Sequence, residues 1–323
     1  MDPKQELDSQ ASTIGSLMSD VDAPRSGERP GAGRRLVIVS PVRNEEKLLP
    51  GTIASVVAQT QRPSLWIIVD DGSTDSTAEI VRAAAAEHDW IRLYQRADRG
   101  VRKLGGGVVD AFNDGLEQVD VDYDYVAKMD ADLTFGPRYI ERLMEHFEAD
   151  PQLGSASGKV FRPEGDGEVE EFMIDEMVAG QWKLYRRECF EGIGGLVAEV
   201  MWDGIDFHKA RRAGWRTRSI MEEELKIAHH RLMGSSHKSI YTGRLRWGRG
   251  QWFMGSHPLY VLASSGLRMK EKPYLVGGFL IFCGFVQAWL QGNPRYGDRE
   301  FRRDLQRWQL GRLKALVFRG QVR

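Results

Sequence analysis

A chain of 323 residues, 41% hydrophobic and 28% charged, is long enough for a substantial core. At the usual ~150 residues per domain it holds roughly two domains. Lys and Arg number 45 against 46 Asp and Glu, and the net charge of -1 excludes nucleic-acid binding through overall charge. The only cysteines, Cys189 and Cys283, exclude a disulfide framework and a cysteine-based zinc site, and they suit a reducing compartment.

Residues 1–33 are rich in Asp, Ser, Gly and Pro without hydrophobic periodicity, which predicts a disordered leader. The opening MDPKQELDSQ is polar and acidic, so no secretory signal is expected there. Leu36-Val37-Ile38-Val39 and Leu65 to Val69 are short apolar runs of the kind that form buried parallel strands. After the second run, Ser76 with Glu79 spells a capping box ahead of the alanine-rich Ile80 to Glu87. The alternation continues with a strand over Ile91 to Tyr94, a helix over Val108 to Leu116 and a strand over Tyr123 to Met129. Pro137 then opens a helix over Arg138 to Phe147. Strands alternating with helices predict an α/β fold, Rossmann-like and doubly wound, with a mostly parallel sheet. In such sheets ligands bind beyond the carboxyl ends of the strands. Pro41 to Glu45, Asp70-Asp71 and Asp130-Ala131-Asp132 all fall at strand ends, so they are expected to share one cleft.

The character changes past about residue 225. Leu275 to Leu290 is almost wholly apolar but contains Gly277, Gly278 and Gly284 and falls short of the ~20 residues of a bilayer span. A core helix, an interfacial helix and a re-entrant hairpin are all open readings. From residue 291 onward nine cations face only Asp298, Glu300 and Asp304, which suggests a tail that meets an anionic surface. A helix drawn over Glu300 to Phe318 is imperfectly amphipathic, because Arg302 and Arg312 interrupt its apolar side.

The acidic clusters carry the chemistry. Asp130 and Asp132, at i and i+2 leaving a strand, share a face and can offer hard oxygen ligands to Mg²⁺ or Mn²⁺; the alternative is a solvated turn. Asp70 and Asp71 can accept from a base N–H or ribose hydroxyls, or cap the following helix. Arg99, Arg102 and Lys103 beside Gly105-Gly106-Gly107 suit phosphate or form a plain basic loop; neither a Walker A nor a G-x-G-x-x-G pattern is present.

The ordered set Ser40-Pro41-Val42-Arg43-Asn44-Glu45-Glu46, Val69-Asp70-Asp71-Gly72-Ser73-Thr74-Asp75 and Asp130-Ala131-Asp132 resembles the family 2 glycosyltransferases of GT-A fold. Arg186 to Phe190, Gly194-Gly195, Trp202 to Phe207 and Ala210 to Trp215 look like that family's acceptor-side segments, so the likeness runs from about residue 35 to 220. The resemblance implies that Pro41, Arg43, Asn44, Glu45, Asp70 and Asp71 hold the nucleotide of a nucleotide-diphosphate sugar. It makes Asp130 and Asp132 a DxD motif, with Asp132 the stronger candidate for touching a divalent cation. Arg99, Arg102 and Lys103 fall where the family carries cations near the donor phosphates, and Asn113 lies in the helix that follows.

The general base is a point of departure. Where the family commonly has Glu-Asp-x-Asp, aligning on Asp206 puts Asp203 at the Glu and Gly204 at the second acid. Asp203 is favoured as base because Trp202 beside it offers an apolar wall that raises a carboxylate's pKa while Gly204 relaxes the turn. Asp206 is the other candidate, or else a buried carboxylate paired with Arg211 or Arg212 on its own helix. Of His229-His230 one faces the cleft, where His229 is read as a metal ligand, a phosphate contact or a satisfied structural histidine. Arg244 to Trp252 interleaves cations and aromatics, a pattern suited to single-stranded nucleic acid or to a pyrophosphate and a sugar; it lies about where processive relatives carry Gln-x-x-Arg-Trp, which is not reproduced.

These readings predict a catalytic domain over residues 34–225 and an acceptor-side, helical, basic region over 226–323. The expected activity is inverting transfer of a sugar to a lipid-linked or glycan acceptor, with Mg²⁺ or Mn²⁺ and no nucleic-acid partner. The expected place is cytoplasmic, peripheral on the inner membrane face. A nucleotidyltransferase and a non-catalytic sugar-nucleotide scaffold are the competing readings.

Overall fold

The computed structural model describes residues 34–97, 106–164, 167–171, 173–231, 239–270, 273–297 and 299–319. The leader expected over 1–33 and the cations Arg99, Arg102 and Lys103 lie outside the described residues. Residues 34–323 form one unit.

The first half alternates as its apolar runs predict: β1 (Leu36–Val42), α1 (Leu49–Val57), β2 (Leu65–Asp70), α2 (Thr77–Glu87), β3 (Ile91–Gln95), α3 (Gly106–Leu116) and β4 (Tyr125–Met129). Next come β5 (Leu133–Phe135), α4 (Tyr139–Ala149), β6 (Leu153–Gly158), β7 (Val160–Glu164), β8 (Gly167–Glu170), β9 (Trp182–Arg186), α5 (Arg187–Gly192), α6 (Trp202–Arg212), β10 (Arg216–Ile220) and β11 (Ile227–His229). Four helices complete the chain: α7 (Ile240–Met254), α8 (Pro258–Arg268), α9 (Val276–Leu290) and α10 (Arg299–Arg319).

The main sheet has the order β10-β6-β9-β4-β1-β2-β3. β9 runs antiparallel to both neighbours, and every other pairing is parallel. β1, β2 and β4 are mostly apolar, with Ser40, Asp70 and Lys128 as their polar members, and are buried on both faces, as a helix-covered parallel sheet requires. The helices bury one stripe each; in α4 it is Ile140, Leu143, Met144 and Phe147, at the i, i+3, i+4, i+7 spacing. From β1 the chain passes outward to β2 and β3, then returns to the other side of β1 as β4. The carboxyl ends of β1 and β4 therefore flank the point where strand order reverses, where open α/β sheets bind ligands.

One sequence expectation is corrected. The Ser76–Glu79 capping box does not form: the Thr77 amide donates to Asp75 Oδ1 at 3.1 Å, the Ser76 amide donates to Glu46 Oε2 at 3.2 Å, and Glu79 pairs with Arg82 at 3.1 Å. Nearer acceptors outcompete the box. β11 pairs antiparallel with β5 and parallel with β7 in a second sheet of order β5-β11-β7-β8.

The apolar stretch around Leu275–Leu290 is the single helix α9, packed against α7 and α8. Glycine makes this approach possible: a β-carbon at Gly248 would lie 1.9 Å from the Ile281 carbonyl oxygen, and one at Gly284 would lie 2.1 Å from that of Leu245. No helix among the described residues is long and apolar enough to cross a membrane.

α10 docks on α6 through rings and charge. Trp308 lies 5.5 Å from the Phe207 ring and 5.0 Å from His208, and Asp304 pairs with Arg211. The two arginines expected to interrupt its apolar side are fixed by protein instead: Arg302 donates to the Tyr296 carbonyl at 2.9 Å, and Arg312 to Glu176 at 3.2 Å.

Burial, with the nearby Arg211, lowers His208 from its ordinary 6.5 to about 3. Above pH 6.5 the ring is neutral in both states; between 6.5 and about 3 only the unfolded chain takes up the proton, so this group's contribution to stability is lost as pH falls. The slope approaches ~1.4 kcal/mol per pH unit. Urea unfolding at pH 6 and pH 5 is expected to show the wild type losing more stability over that interval than His208→Leu, by roughly that amount. Equal losses would refute the assignment.

Candidate active site

The β1 and β2 loops are stitched together by short polar bonds. The Asp71 amide donates to the Val42 carbonyl at 2.9 Å, Arg43 Nη1 to the Asp71 carbonyl at 2.7 Å, and the Asn44 amide to Ser73 Oγ at 3.0 Å. Asn44 sits at φ 57, a left-handed conformation its residue type tolerates, and its side chain accepts from the Thr74 amide at 2.8 Å. Asp70, buried at the end of β2, accepts from the Ser73 amide at 2.8 Å and from Gln95 Nε2 at 3.3 Å. Asp71 pairs with Arg96 at 2.6 Å, and Arg96 also holds Asp114 at 2.6 Å. Pro41, within β1, pairs in register with Val69, and Asn113 lies on α3.

Glu45 ties this side of the cleft to the next. It receives a two-pronged contact from Arg231 at 2.9 and 2.6 Å, and Arg231 Nε lies 3.7 Å from Asp132 Oδ2. His229, reaching in from β11, places Nε2 3.5 Å from the same Asp132 oxygen and Nδ1 3.1 Å from Glu171. Burial alone would lower the ring's pKa, but Asp132 and Glu171 outweigh it and raise it to about 9. The same pairing works on Asp132 in reverse. Burial pushes its carboxyl up, while His229 and then Arg231 hold it below the ordinary carboxylate range. His230 points the other way, 2.7 Å from Thr134 Oγ1, as neighbours on a strand must.

Asp132 Oδ1 is buried without a hydrogen-bond partner. Such an orphan is uncommon and fits a ligand. Among the described residues no group of three or more His, Cys, Asp or Glu side chains is arranged to hold a metal ion. Two carboxylates are nonetheless a fitting donor set for Mg²⁺, which takes one or two from protein and fills its other positions with water and substrate phosphate.

The candidate base stands on the far wall. β4 and β9 place Lys128 and Lys183 directly opposite each other, both buried. Lys128 binds Asp130 and donates to the Gly180 carbonyl at 2.7 Å. Lys183 binds Asp206 at 2.6 Å and donates to the Asp203 carbonyl at 2.9 Å. The Trp202 ring serves both ammonium groups, 5.4 Å from one and 5.3 Å from the other. It is thus a shared neighbour of the lysines, and its ring edge and the Asp203 carboxylate both lie against Gly180. Asp203 Oδ2 lies 3.5 Å from where a β-carbon at Gly180 would stand, and the next residue, Gln181, accepts the Asp130 amide at 2.8 Å. One short loop thereby touches Lys128, Asp130 and Asp203.

Asp206 is enclosed. Besides Lys183, its carboxylate accepts from the Tyr185 hydroxyl and, at 2.7 Å, from the Phe207 amide. Burial pushes its carboxyl up against the pull of Lys183 and Tyr185. The partner expected from its own helix is corrected, since Arg211 and Arg212 turn to Asp304 and Glu300. The strained turn before α6 is at Met201, φ 67, not at Gly204, which instead admits Met254.

The site residues not foreseen are Lys128, Lys183, Glu171, Gln181 and Arg231. For the lysines a signal existed: Lys within a short, otherwise apolar strand is almost never buried unless paired.

Six parallel strands and one antiparallel strand, with these loops at the switch point, define a GT-A fold. Residues 37–197 match the model of glycosyl transferase family 2, and the domain they form belongs to that family. Curated relatives include the poly-beta-1,6-N-acetyl-D-glucosamine synthases of Staphylococcus aureus strain N315 and Staphylococcus epidermidis. Each is 31% identical over 115 residues, 36% of this chain and 26% of the relative. The chain thus spans about a quarter of the length of the curated relatives it matches. Among solved structures, TarS residues 1-349 of S. aureus with UDP-GlcNAc aligns at TM-score 0.51 and 15% identity over 84% of this chain and 78% of that one. A mannosyltransferase of Pyrobaculum calidifontis with GDP-Man and Mn2+ aligns at 0.50 and 18% over 88% and 80%. At these identities the likeness is one of fold.

Removing one partner of a buried ion pair strands the other. Lys183→Met is expected to lower stability by about 3–5 kcal/mol. Lys183→Met with Asp206→Leu recovers much of that loss in urea unfolding; a single variant as stable as wild type would show that the pair does not hold α6 to β9.

Proposed function

We propose that this protein is an inverting glycosyltransferase that moves a sugar from a nucleotide-diphosphate sugar to an acceptor hydroxyl. The observation that carries the reading is the meeting, at one switch point, of the stitched β1 and β2 loops and the Asp130/Asp132 pair, with Asp203 one loop away. Pro41, Arg43, Asn44 and the Asp70-Asp71 turn form the nucleotide side, with Glu45 fixing that loop through Arg231. Arg99, Arg102 and Lys103 are assigned to the donor phosphates on sequence alone. Asp132, aided by Asp130, would hold Mg²⁺ or Mn²⁺, which supplies charge neutralisation for the departing diphosphate. His229, with Nδ1 held by Glu171 and Nε2 3.5 Å from Asp132 Oδ2, positions Asp132 and is the third candidate ligand for the cation.

Asp203 takes the proton as the acceptor oxygen attacks the anomeric carbon. Asp206 acts through Lys183, whose ammonium also holds the Asp203 carbonyl, and so positions the turn. A single displacement needs one base and no covalent intermediate, so an α-linked donor gives a β product. The proposed acceptor is lipid-linked or glycan, in cell-envelope or exopolysaccharide synthesis at the inner membrane face. The names of the staphylococcal relatives support a polysaccharide setting.

The test is a panel of nucleotide sugars, UDP-N-acetylglucosamine included, with Mg²⁺ or Mn²⁺, scored by thermal shift and nucleoside diphosphate release. Asp132→Asn is expected to abolish metal-dependent donor binding. Asp203→Asn is expected to keep donor binding and lower kcat by about 10²–10⁴. Donor binding without turnover on every acceptor offered would favour the scaffold reading, and loss of turnover in Asp206→Asn but not Asp203→Asn would move the base.

A further inference from the structure

Among the described residues 15 large hydrophobic side chains stand exposed, and 11 of them lie on or between α7, α8 and α9. Monomeric soluble surfaces rarely gather apolar side chains in this way; contiguous patches mark interaction sites. On α8, Leu259 and Leu262 share a face at i and i+3, with Leu267 near its end. On α9, Phe279, Val286 and Leu290 follow one another at helical spacing, and Phe279, Phe282, Cys283, Val286 and Leu290 line an open groove of about 480 Å³. The glycines of α9 face inward to α7 and α8 together with Ile281 and Phe285, while Phe279, Trp289 and Leu290 stand on the outer side.

The turn into α9 is built to expose more. Leu275 sits at φ 60, ψ −53, closing a three-residue turn in which the Val276 amide donates to the Tyr274 carbonyl at 2.6 Å. A bulky side chain at positive φ is strained. Here that strain holds Leu275 68% exposed, between the exposed Tyr274 and Val276.

Charge selects the occupant. Residues 239–297 carry seven Lys and Arg, at 244, 246, 249, 268, 270, 272 and 295, against Glu271 as the only acid. Arg249 of α7 reaches Gln287, a residue lining the α9 groove, at 2.9 Å, and Arg268, at the end of α8, stacks over Trp247 of α7 at 4.0 Å. An apolar face fringed with cations matches the boundary between acyl chains and anionic headgroups.

We propose that the outer face of α8 and α9, with the Tyr274–Val276 turn as its tip, docks on an anionic lipid bilayer. This deepens the reading of a membrane-borne acceptor and relocates the contact from the basic tail to the helical face. Its test measures lipid affinity rather than sugar transfer, so either can fail without the other.

The full chain is to be floated with vesicles of phosphatidylcholine alone and with phosphatidylglycerol added. The wild type is expected to float with the anionic vesicles and to detach partly in high salt. Leu275→Ser with Phe279→Ser, and separately Leu259→Ser with Leu262→Ser, are each expected to weaken this by about tenfold or more. Donor binding and the thermal midpoint should be unchanged. Arg303→Ser with Arg307→Ser, on the exposed side of α10, is expected to cost less than either apolar pair. Three results would overturn the proposal: no flotation of the wild type, flotation unchanged in both apolar pairs, or a wild-type dimer that the apolar substitutions dissociate while lipid is ignored. The last would make a second copy the occupant.

Discussion

Two lysines face each other in the middle of the main sheet, and much of the site follows from how their charge is met. Lys128 on β4 and Lys183 on β9 are directly opposed and buried, an arrangement of like charges that a sheet does not tolerate unaided. Each needs an anion and each takes a different one: Asp130 from the loop after β4, Asp206 from α6. The Trp202 ring lies near both ammonium groups and damps what repulsion is left. Relieving this one electrostatic problem fixes the Asp130 loop and the N-terminal half of α6 relative to each other. Since Lys183 also holds the Asp203 carbonyl, the candidate base inherits its position from the same solution.

A second chain of charges does the corresponding work across the cleft. Glu45, Arg231, Asp132, His229, Glu171 and Gln181 alternate in role from the β1 loop to the loop before β9. Every member but the outermost touches two others, so the carboxylate assigned to a cation is held without using its buried Oδ1. Buried polar networks specify geometry when they are satisfied, and here the unsatisfied atom is the one assigned to bind.

The sequence made the parallel half of the fold legible because its signals were local. Leu36 to Val39 and Leu65 to Val69 are apolar enough to be buried strands, and the polar residues that follow them must lie at strand ends. The small second sheet was not legible, because β5 and β11 have three residues each and β8 reads Gly-Glu-Val-Glu. Such strands exist through their pairing partners, which are distant in sequence. The acids of the site were visible as motifs, whereas Glu171, Gln181 and Arg231 were not, since nothing near them in sequence shows that they meet Asp132 or Asp130. The cation that meets Asp206 was hidden for the same reason. Helical spacing offers Arg211 or Arg212 as partners, but a helix buried against β9 finds its cation on that strand at Lys183.

The apolar run at Leu275–Leu290 shows how composition can leave one property open and fix another. Length excluded a membrane span, but hydrophobicity alone could not say which side of the helix faces protein. Glycine decides it. Gly278 and Gly284 are where α8 and α7 come within backbone distance, and a larger residue at either would collide with a carbonyl oxygen. The helix can approach its neighbours only along that small-residue side, so Phe279, Trp289 and Leu290 are turned outward by the packing itself. Exposure of those side chains is therefore a consequence of how α9 is anchored, and a single substitution that reversed it would first have to break the α7–α9 contact.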